Sequence, residues 1–187
     1  MKHIACALAA AFCAAAAWGA QALVPQGSEI RFTSVQMGVP VEGRFRSFEA
    51  QLEFDPRHPE AARVSMSIDL ASASLGTTEA EVELAKPAWF ATKQFPKAVF
   101  RSQTVKALGG NRFEMAGTLA IKGVTRDMVV PVALTPAPDG SRTLATGSFV
   151  LRRLDFRIGD GEWNDTALVA NDVQVAFKLT LSGLAAP

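Results

Sequence analysis

The chain has 187 residues, 49% of them hydrophobic, and its 19 lysines and arginines nearly balance its 18 aspartates and glutamates. This balance argues against a basic surface for nucleic acid, so no nucleic-acid partner is expected. Two cysteines and two histidines are too few for a disulfide framework or a clustered metal site.

The first residues have the pattern of an export signal. Lys2 and His3 precede an apolar, alanine-rich run, and Ala20-Gln21-Ala22 follows as a small-residue cleavage site. The run is shorter than the roughly 20 apolar residues that span a membrane. We therefore predict a signal peptide at residues 1–22, export to the periplasm, and a single domain over residues 23–187.

The predicted mature chain is poor in residues for catalysis. Cys6 and Cys13 both lie in the signal segment, and the remaining histidine, His58, lies in a proline-flanked turn that would hold a catalytic triad poorly. The acidic loop at 160–165 lacks the spacing of a calcium-binding EF-hand and is interpreted as a solvated turn. We predict no enzyme activity, no metal site and no cofactor.

Alternating apolar and polar residues predict β-strands along most of the mature chain. The alternation starts at Ile30 and Phe32 and changes parity between Phe45 and Phe48, where we expect a β-bulge near Arg46-Ser47. Further strands are expected around residues 64–70, 100–104, 113–121, 128–134, 144–151 and 173–181, with 154–158 extending the strand 144–151 beyond a bend. The inward parity of 144–151 stays open, whereas Phe100, Ser102 and Thr104 are assigned one face.

These strands predict an all-β fold of about eight antiparallel strands. Eight antiparallel strands can close into a barrel wide enough for one small ligand. A sandwich of two sheets fits the same periodicity and is the alternative.

One stretch, residues 75–100, does not alternate. Thr78 and Glu81 have the spacing of a capping box, and Pro87 is expected to end the helix. We predict a short helical cap over residues 77–91, followed by crowded aromatic side chains. The cap is either a plug for the barrel core or a lid that faces a ligand, and one role does not exclude the other.

Short motifs spread over the mature chain resemble the YceI-like family of exported bacterial proteins, which has a lipocalin-like fold. In chain order they are Met37-Gly38, Gly43-Arg44-Phe45, Phe54-Asp55, Ile68-Asp69, Trp89-Phe90, Phe95-Pro96, Phe100, residues 117–125 and Arg153-Leu154-Asp155-Phe156. The resemblance implies an eight-stranded antiparallel lipocalin-like barrel with a long apolar tunnel. The tunnel would hold a polyisoprenoid chain, or the isoprenoid tail of a quinone-like molecule.

Two positions depart from the family pattern at the polar end of such a ligand. Gln36 stands where the family often has a histidine, and Arg157 stands where a glycine often follows the Asp-Phe pair. The resemblance therefore leaves the head group open.

We accordingly expect an exported, non-catalytic carrier of an isoprenoid lipid. The expected tunnel wall consists of large apolar side chains: Phe32, Phe45, Phe48, Met66, Ile68, Leu84, Trp89, Phe90, Phe95, Phe100, Phe113, Met115, Leu119, Phe156, Val175 and Phe177. The candidate head-group contacts are Gln36, Arg153 and Asp155.

The expected partners are the lipid itself and a membrane or membrane protein that is touched transiently during ligand exchange. The resemblance also allows a homodimer. Two alternatives come from other classes: a protein-interaction module whose barrel is filled by its own side chains, and a hydrolase of unfamiliar type.

Overall fold

The computed structural model describes residues 21–185. In these residues ten antiparallel strands form one curled sheet, and a short α-helix lies over it. The elements are β1 (Ala22–Gln36), β2 (Val39–Phe45), β3 (Phe48–Glu53), β4 (Arg63–Asp69), β5 (Ala73–Ser74), α1 (Thr78–Leu84), β6 (Lys97–Gly109), β7 (Arg112–Ile121), β8 (Val124–Pro136), β9 (Arg142–Arg152) and β10 (Asp172–Ser182).

The sheet curls into a half-barrel because two of its strands are bent. Its hydrogen-bonded order is β3-β4-β6-β7-β8-β9-β10-β1-β2-β5, so β3 and β5 are the ends. However, β3 continues β2 after a break at Arg46-Ser47, and β5 continues β4 after one 3-10 turn, Leu70–Ser72. The two ends of the sheet are thus brought together by one bent antiparallel pair.

The predicted all-β, antiparallel, lipocalin-like fold is confirmed. If the two bent strands are each counted once, the ten segments correspond to the eight predicted strands. The interruption at Arg46-Ser47 lies where the sequence predicts a bulge, and both Phe45 and Phe48 pack into the hydrophobic core across it.

Strand β7 shows how the alternation builds the interior. Phe113, Met115, Gly117, Leu119 and Ile121 are buried there, whereas the residues that alternate with them are only partly buried. Burial of one such side chain stabilises the fold by roughly 1.5–3 kcal/mol.

The predicted inward face of β6 is wrong beyond Ser102. The register of β6 against β7 shifts between Ser102 and Thr104, so that Val105 rather than Thr104 is buried. An extra residue in one strand of a pair reverses which side chains face inward. On β9, whose parity the sequence left open, Ala145, Phe149 and Leu151 face the interior.

The segment after β9 is also not the predicted strand extension. Arg153–Phe156 form a 3-10 helix, and Arg157 then has a left-handed backbone with φ of 57°. The chain therefore turns back over the end of the barrel before a second 3-10 helix at Gly161–Asn164.

The predicted cap at 77–91 is helical over fewer residues than expected. Helix α1 ends at Leu84, and turns continue from there through residue 94. The N-cap lies one residue earlier than predicted: Thr77, not Thr78, is the N-cap, and its hydroxyl accepts a hydrogen bond from the Ala80 N–H at 3.3 Å. No helix among residues 21–185 has the length and apolar character needed to cross a membrane.

Glu81 connects the cap to the sheet instead of closing the capping box. Its Oε1 accepts hydrogen bonds from Ser74 Oγ and Arg46 Nη2, both at 2.6 Å. Arg46 lies at the break between β2 and β3, and Ser74 lies on β5. The same carboxylate therefore joins α1 to both bent strands.

Most of the predicted signal peptide lies outside the described residues. Of residues 1–22, Gln21 and Ala22 are described: the Gln21 amide exchanges two hydrogen bonds of 2.8 Å with the backbone of Phe54, and Ala22 pairs with Ser182 in the sheet. Cleavage and export stay predictions.

We predict that Glu81→Gln lowers the melting temperature at neutral pH. The hydrogen bond from Ser74, and then that from Arg46, lower the pKa of Glu81 below its ordinary value. Such a carboxyl adds stability above its unfolded-state pKa of about 4.3, and this stability is lost as the pH falls through the lower folded-state pKa. Thermal unfolding measured over a pH series should therefore show a difference between the two proteins that disappears in acid.

The matched control is Glu79→Gln, an exposed position on the same helix. A loss of equal size in this control would contradict the role assigned to the Glu81 contacts.

Candidate functional site

Two adjoining cavities occupy the interior of the half-barrel. The first, here called the apolar cavity, has a volume of about 140 Å³ and is lined by apolar side chains alone. The second, here called the mixed cavity, has a volume of about 130 Å³ and adds Ser34, Gln36 and Arg153 to an apolar lining. The cavities adjoin because five residues line both: Ile30, Ile68, Leu119, Phe149 and Val175.

Twelve of the sixteen predicted wall residues line these cavities. Those on the apolar cavity alone are Met66, Phe100, Met115 and Phe177. Those on the mixed cavity alone are Phe32, Phe45, Leu84, Trp89 and Phe90, while Ile68, Leu119 and Val175 line both.

The other four predicted wall residues lie outside the lining. Phe113 is fully buried against Phe54, with ring centroids 5.2 Å apart in an edge-to-face arrangement. Phe48 and Phe156 pack within the core, and Phe95 packs over Gly123 at the turn between β7 and β8. These four rings therefore belong to the solid part of the structure.

The prediction missed 23 of the 37 residues that line the two cavities, among them Phe149, which borders both. It lies opposite Val175 in the pairing of β9 with β10. The inward face of β10 was clear from the sequence, so the missing information was the register between these two strands. Met128 on β8 and Ile30 on β1 also line the cavities, and their own strand alternation indicates the inward face.

Glycines on neighbouring strands position two of the aromatic rings. Phe32 lies opposite Gly43, and an added Cβ at Gly43 would be 2.2 Å from Phe32 Cζ. Phe177 lies opposite Gly147, where an added Cβ would be 2.4 Å from Phe177 Cζ. Each ring thus lies flat across its glycine, which leaves the centre of the barrel free.

The end of α1 and the segment after it cover the mixed cavity with Leu84, Trp89 and Phe90. Phe90 is fixed by its N–H, which donates to the Leu84 carbonyl at 3.0 Å, and by its ring, whose centroid is 6.1 Å from that of Phe45. The ring of Phe45 is in turn 5.3 Å from that of Phe32. The cap therefore ends in a row of aromatic rings that forms one wall of the cavity.

The sequence analysis assigned Arg153 to the head-group contacts. In the structure its guanidinium is instead bound by the backbone of a neighbouring loop. It is 1% exposed, and all five of its N–H donors are used by backbone carbonyls. The acceptors, at 2.7 to 3.0 Å, are the carbonyls of Ile158, Gly159, Trp163, Val169 and Ala170. Burial lowers the pKa of Arg153, and the charge of Asp160 acts in the opposite direction.

The other two candidate head-group residues differ in position. Asp155 does not line either cavity, and its carboxylate lies 4.0 Å from Arg152 at the surface. Gln36 does line the mixed cavity, where its side chain makes no hydrogen bond to another residue of the described chain. Gln36 therefore stays the predicted head-group contact, and Asp155 is removed.

A second buried cation joins the cap to the loop that Arg153 holds. Lys122 donates to the Ala88 carbonyl at 3.3 Å and lies 3.2 Å from Asp160 Oδ2. The Ala88 carbonyl also accepts from the N–H groups of Gly159 and Asp160, at 2.8 and 2.9 Å. These bonds place Trp89, the next residue, against that loop.

Residues 21–185 contain no cluster of three or more histidine, cysteine, aspartate or glutamate side chains arranged for a metal. His58 lies at the surface, 3.6 Å from Glu60, away from the residues that line the cavities.

We predict that Arg153→Lys lowers the free energy of unfolding by about 2–6 kcal/mol. Lysine has three donors on one atom, so at least two carbonyls lose their partner, at a cost of about 1–3 kcal/mol each. Urea titration measures the change. Arg152→Lys, at the exposed neighbouring position, should stay within about 0.5 kcal/mol of the original protein.

The head-group role of Arg153 would be supported if Arg153→Lys had an unchanged free energy of unfolding and no longer retained ligand.

A family model and several curated proteins are similar to this chain in sequence. The model of the YceI-like domain matches residues 22–181. Among curated proteins, a UPF0312 protein of Azotobacter vinelandii is 31% identical over 88 residues, and the protein YceI of Escherichia coli is 29% identical over 120 residues. The alignments cover 47% and 62% of this chain and 46% and 62% of those relatives, so the chain spans about half to three fifths of their length.

Solved structures share the fold over a larger part of the chain. The crystal structure of BcnA from Burkholderia cenocepacia superposes with a TM-score of 0.81 at 36% identity, covering 84% of this chain and 98% of BcnA. A polyisoprenoid binding domain from Saccharophagus degradans superposes with a TM-score of 0.69 at 17% identity, covering 87% of this chain and 98% of that domain. The second likeness is evidence for the fold alone.

Proposed function

Because the chain belongs to the YceI-like family, we propose that it is an exported, non-catalytic carrier that holds an isoprenoid lipid inside its half-barrel. The observation that carries this proposal is the pair of adjoining cavities with an almost wholly apolar lining. A cavity of about 150 Å³ lined by aliphatic and aromatic side chains stays dry and takes up small apolar molecules. Two such cavities in series suit a long, slender hydrocarbon chain.

The polar groups of the lining give the ligand a direction. The apolar cavity has no polar side chain, whereas Ser34 and Gln36 lie together on the mixed cavity. Burying a polar head group without a hydrogen-bond partner costs several kcal/mol, so the head belongs in the mixed cavity. The tail then extends past the five shared residues into the apolar cavity. The Saccharophagus degradans domain, which has the same fold, is a polyisoprenoid binding domain, and the proposal extends that ligand class to this chain.

The alternatives from the sequence have less support. A barrel filled by its own side chains would leave no room for a ligand, whereas two cavities adjoin at the centre of this one. A hydrolase would need a nucleophile or base beside its substrate, and His58 lies at the surface instead. Export to the periplasm and a homodimer stay predictions.

Native mass spectrometry of protein purified without detergent tests the proposal. We expect an added mass that corresponds to an isoprenoid lipid, and uptake of added polyprenyl or quinone ligand by protein stripped of lipid. Repeated absence of both would refute the carrier function.

A substitution at the junction tests whether one ligand occupies both cavities. Val175→Phe places a larger side chain among the shared residues, at a cost of up to about 1–3 kcal/mol from overpacking. We expect the folded variant to lose long isoprenoids but to keep a short one that fits a single cavity, as measured by native mass spectrometry. Val129→Phe, an exposed position on β8, is the control and should retain both.

We also propose that ligand exchange uses an apolar tip beside Gln36. Met37 and Val39 are 76% and 62% exposed at the turn between β1 and β2, and Leu168, at 42%, accepts the Met37 N–H through its carbonyl at 2.8 Å. Residues 37–39 and 166–168 carry no charged side chain. An uncharged tip beside a cavity end can enter the interface of a neutral lipid bilayer without desolvating a charge.

We predict that Met37→Ser combined with Val39→Ser slows ligand transfer from phosphatidylcholine vesicles about tenfold. Full burial of each apolar side chain is worth about 1.5 kcal/mol or more. The bilayer interface buries each side chain only in part, so the two together account for about tenfold. Retention of ligand already bound should not change. Leu108→Ser combined with Val129→Ser is the matched control, with similar exposure elsewhere on the barrel. Slower transfer in the control pair instead would place the entry elsewhere.

A further inference from the structure

Strands β8 and β9 are neighbours in the sheet but are paired over only part of their length. β8 has 13 residues and β9 has 11, yet the ladder between them comprises four residue pairs, which join residues 133–136 to residues 143–146. The remaining residues, 124–132 of β8 and 147–152 of β9, are paired on their other sides with β7 and β10. They therefore border a break in the wall of the half-barrel, here called the seam.

Pro131 explains why the ladder ends where it does. Ile121 and Val124 flank the two-residue turn between β7 and β8, so they form a hydrogen-bonded pair and the backbone groups of Val124 face β7. These groups alternate along a strand, so those of the odd-numbered residues of β8 face β9. Ala133 is paired with β9, and the next residue on that side, Pro131, has no N–H to donate. The proline therefore interrupts the pairing at this point.

The seam lies beside the junction of the two cavities. Met128 and Val130 of β8 line the apolar cavity, Leu151 of β9 lines the mixed cavity, and Phe149 of β9 lines both. All four lie on the stretches of β8 and β9 that border the seam. A movement of β8 away from β9 therefore opens both cavities from the side, and it breaks no ladder hydrogen bond between these stretches.

Phe156 closes the seam. The 3-10 helix that carries it follows β9 directly and lies against β8. Phe156 is buried, and it belongs to the core cluster against which Val124 and Met128 of β8 and Phe149 of β9 pack. The wall is thus held together here by side-chain packing instead of a backbone ladder.

Lys122 ties the start of β8 to the segment that carries Phe156. It lies in the turn before β8, and its Nζ donates to the carbonyl of Arg157, the residue after Phe156. The same Nζ lies 3.2 Å from Asp160 Oδ2, and the lysine side chain is only 8% exposed. A cation buried to this extent needs such partners, so these contacts hold β8 against the segment and keep the seam closed.

We propose that the seam is a lateral entrance through which the isoprenoid chain passes into the two cavities, with Phe156 closing it and Lys122 holding it closed. This inference rests on the proposed carrier function and adds the route by which the ligand enters. A long chain that entered only at the end of the barrel would have to thread through one cavity to reach the other. Parting of β8 and β9 instead exposes the junction of the cavities directly.

The seam and the apolar tip lie at the same end of the barrel. β9 ends at Arg152, and the loop that follows it reaches the end of β1, where Val169 pairs with Gln36. The tip at residues 37–39 follows Gln36 directly. Contact of the tip with a bilayer therefore brings the end of the seam to the membrane surface.

A cross-link across the seam tests this route. Asp127→Cys and Arg152→Cys place one exposed cysteine on each side of the seam, in a full-length chain in which Cys6 and Cys13 are replaced by serine. Bismaleimides of increasing spacer length are then tried, and the shortest one that joins both cysteines is used. Uptake of a long-chain polyprenol from phosphatidylcholine vesicles is measured before and after cross-linking.

The matched control is Arg152→Cys combined with Asp172→Cys in the same cysteine-free chain. These two residues are exposed partners in the intact pairing of β9 with β10, so their cross-link shares one position with the test and does not cross the seam.

We expect the cross-link across the seam to slow uptake by about tenfold or more, because it removes the route with the lowest barrier. Polyprenol bound before cross-linking should be retained, and the control cross-link should leave the rate of uptake unchanged. Equal rates before and after cross-linking of the seam would overturn the inference while the carrier function stands. Absence of uptake by the original protein would overturn the carrier function, and the inference with it.

A second variant keeps the inference falsifiable if no spacer joins the two cysteines. Lys122→Met keeps an unbranched apolar side chain but removes the ammonium, which releases β8 from Arg157 and Asp160. Loss of these charge-assisted hydrogen bonds favours the open seam, so uptake by the folded variant should be about tenfold faster. Lys106→Met, at an exposed position on β6, is the control and should not change the rate. Unchanged or slower uptake by folded Lys122→Met contradicts the inference.

Discussion

The architecture around the mixed cavity depends on one buried guanidinium. Bringing a cation out of water costs several kcal/mol, and Arg153 recovers this through five charge-assisted hydrogen bonds to backbone carbonyls. These carbonyls come from residues 158–170, a loop with little regular hydrogen bonding of its own. The guanidinium therefore donates the hydrogen bonds that a neighbouring β-strand would otherwise have donated to these carbonyls. The charge of Asp160 nearby is favourable for the cation.

This loop in turn positions two other parts of the site. Ala170 donates its N–H to the Val35 carbonyl, and Val169 pairs with Gln36, so the end of β1 is fixed against the loop. Gly159 and Asp160 bind the Ala88 carbonyl, which fixes the cap beside Trp89. The polar end of the cavity is thus assembled from the end of β1, the cap and the loop, and the arginine connects them.

The cavities themselves follow from the bent strands and the glycines. Bends at Arg46-Ser47 and Leu70–Ser72 let the sheet curl until its two ends share one antiparallel pair. Gly43 and Gly147 let the rings of Phe32 and Phe177 lie against the sheet instead of projecting across the centre. Large apolar side chains therefore surround a space that they do not fill, which distinguishes a binding barrel from a packed core.

The sequence by itself determined the antiparallel all-β class, the bend near Arg46-Ser47 and twelve of the residues that line the cavities, because each follows from period-two alternation and local residue chemistry. Tertiary structure decided the rest. The bulge on β6 and the inward face of β9 depend on the register with a neighbouring strand, and alternation within one strand does not encode that register.

The role of Arg153 also depends on tertiary structure. A charged residue beside Asp155 and Arg157 has the sequence pattern of a surface ion pair or a head-group contact. Its burial depends on carbonyls up to 17 residues further along the chain, which converge because the loop folds back over the barrel end. Only the folded backbone brings those acceptors within reach of one guanidinium.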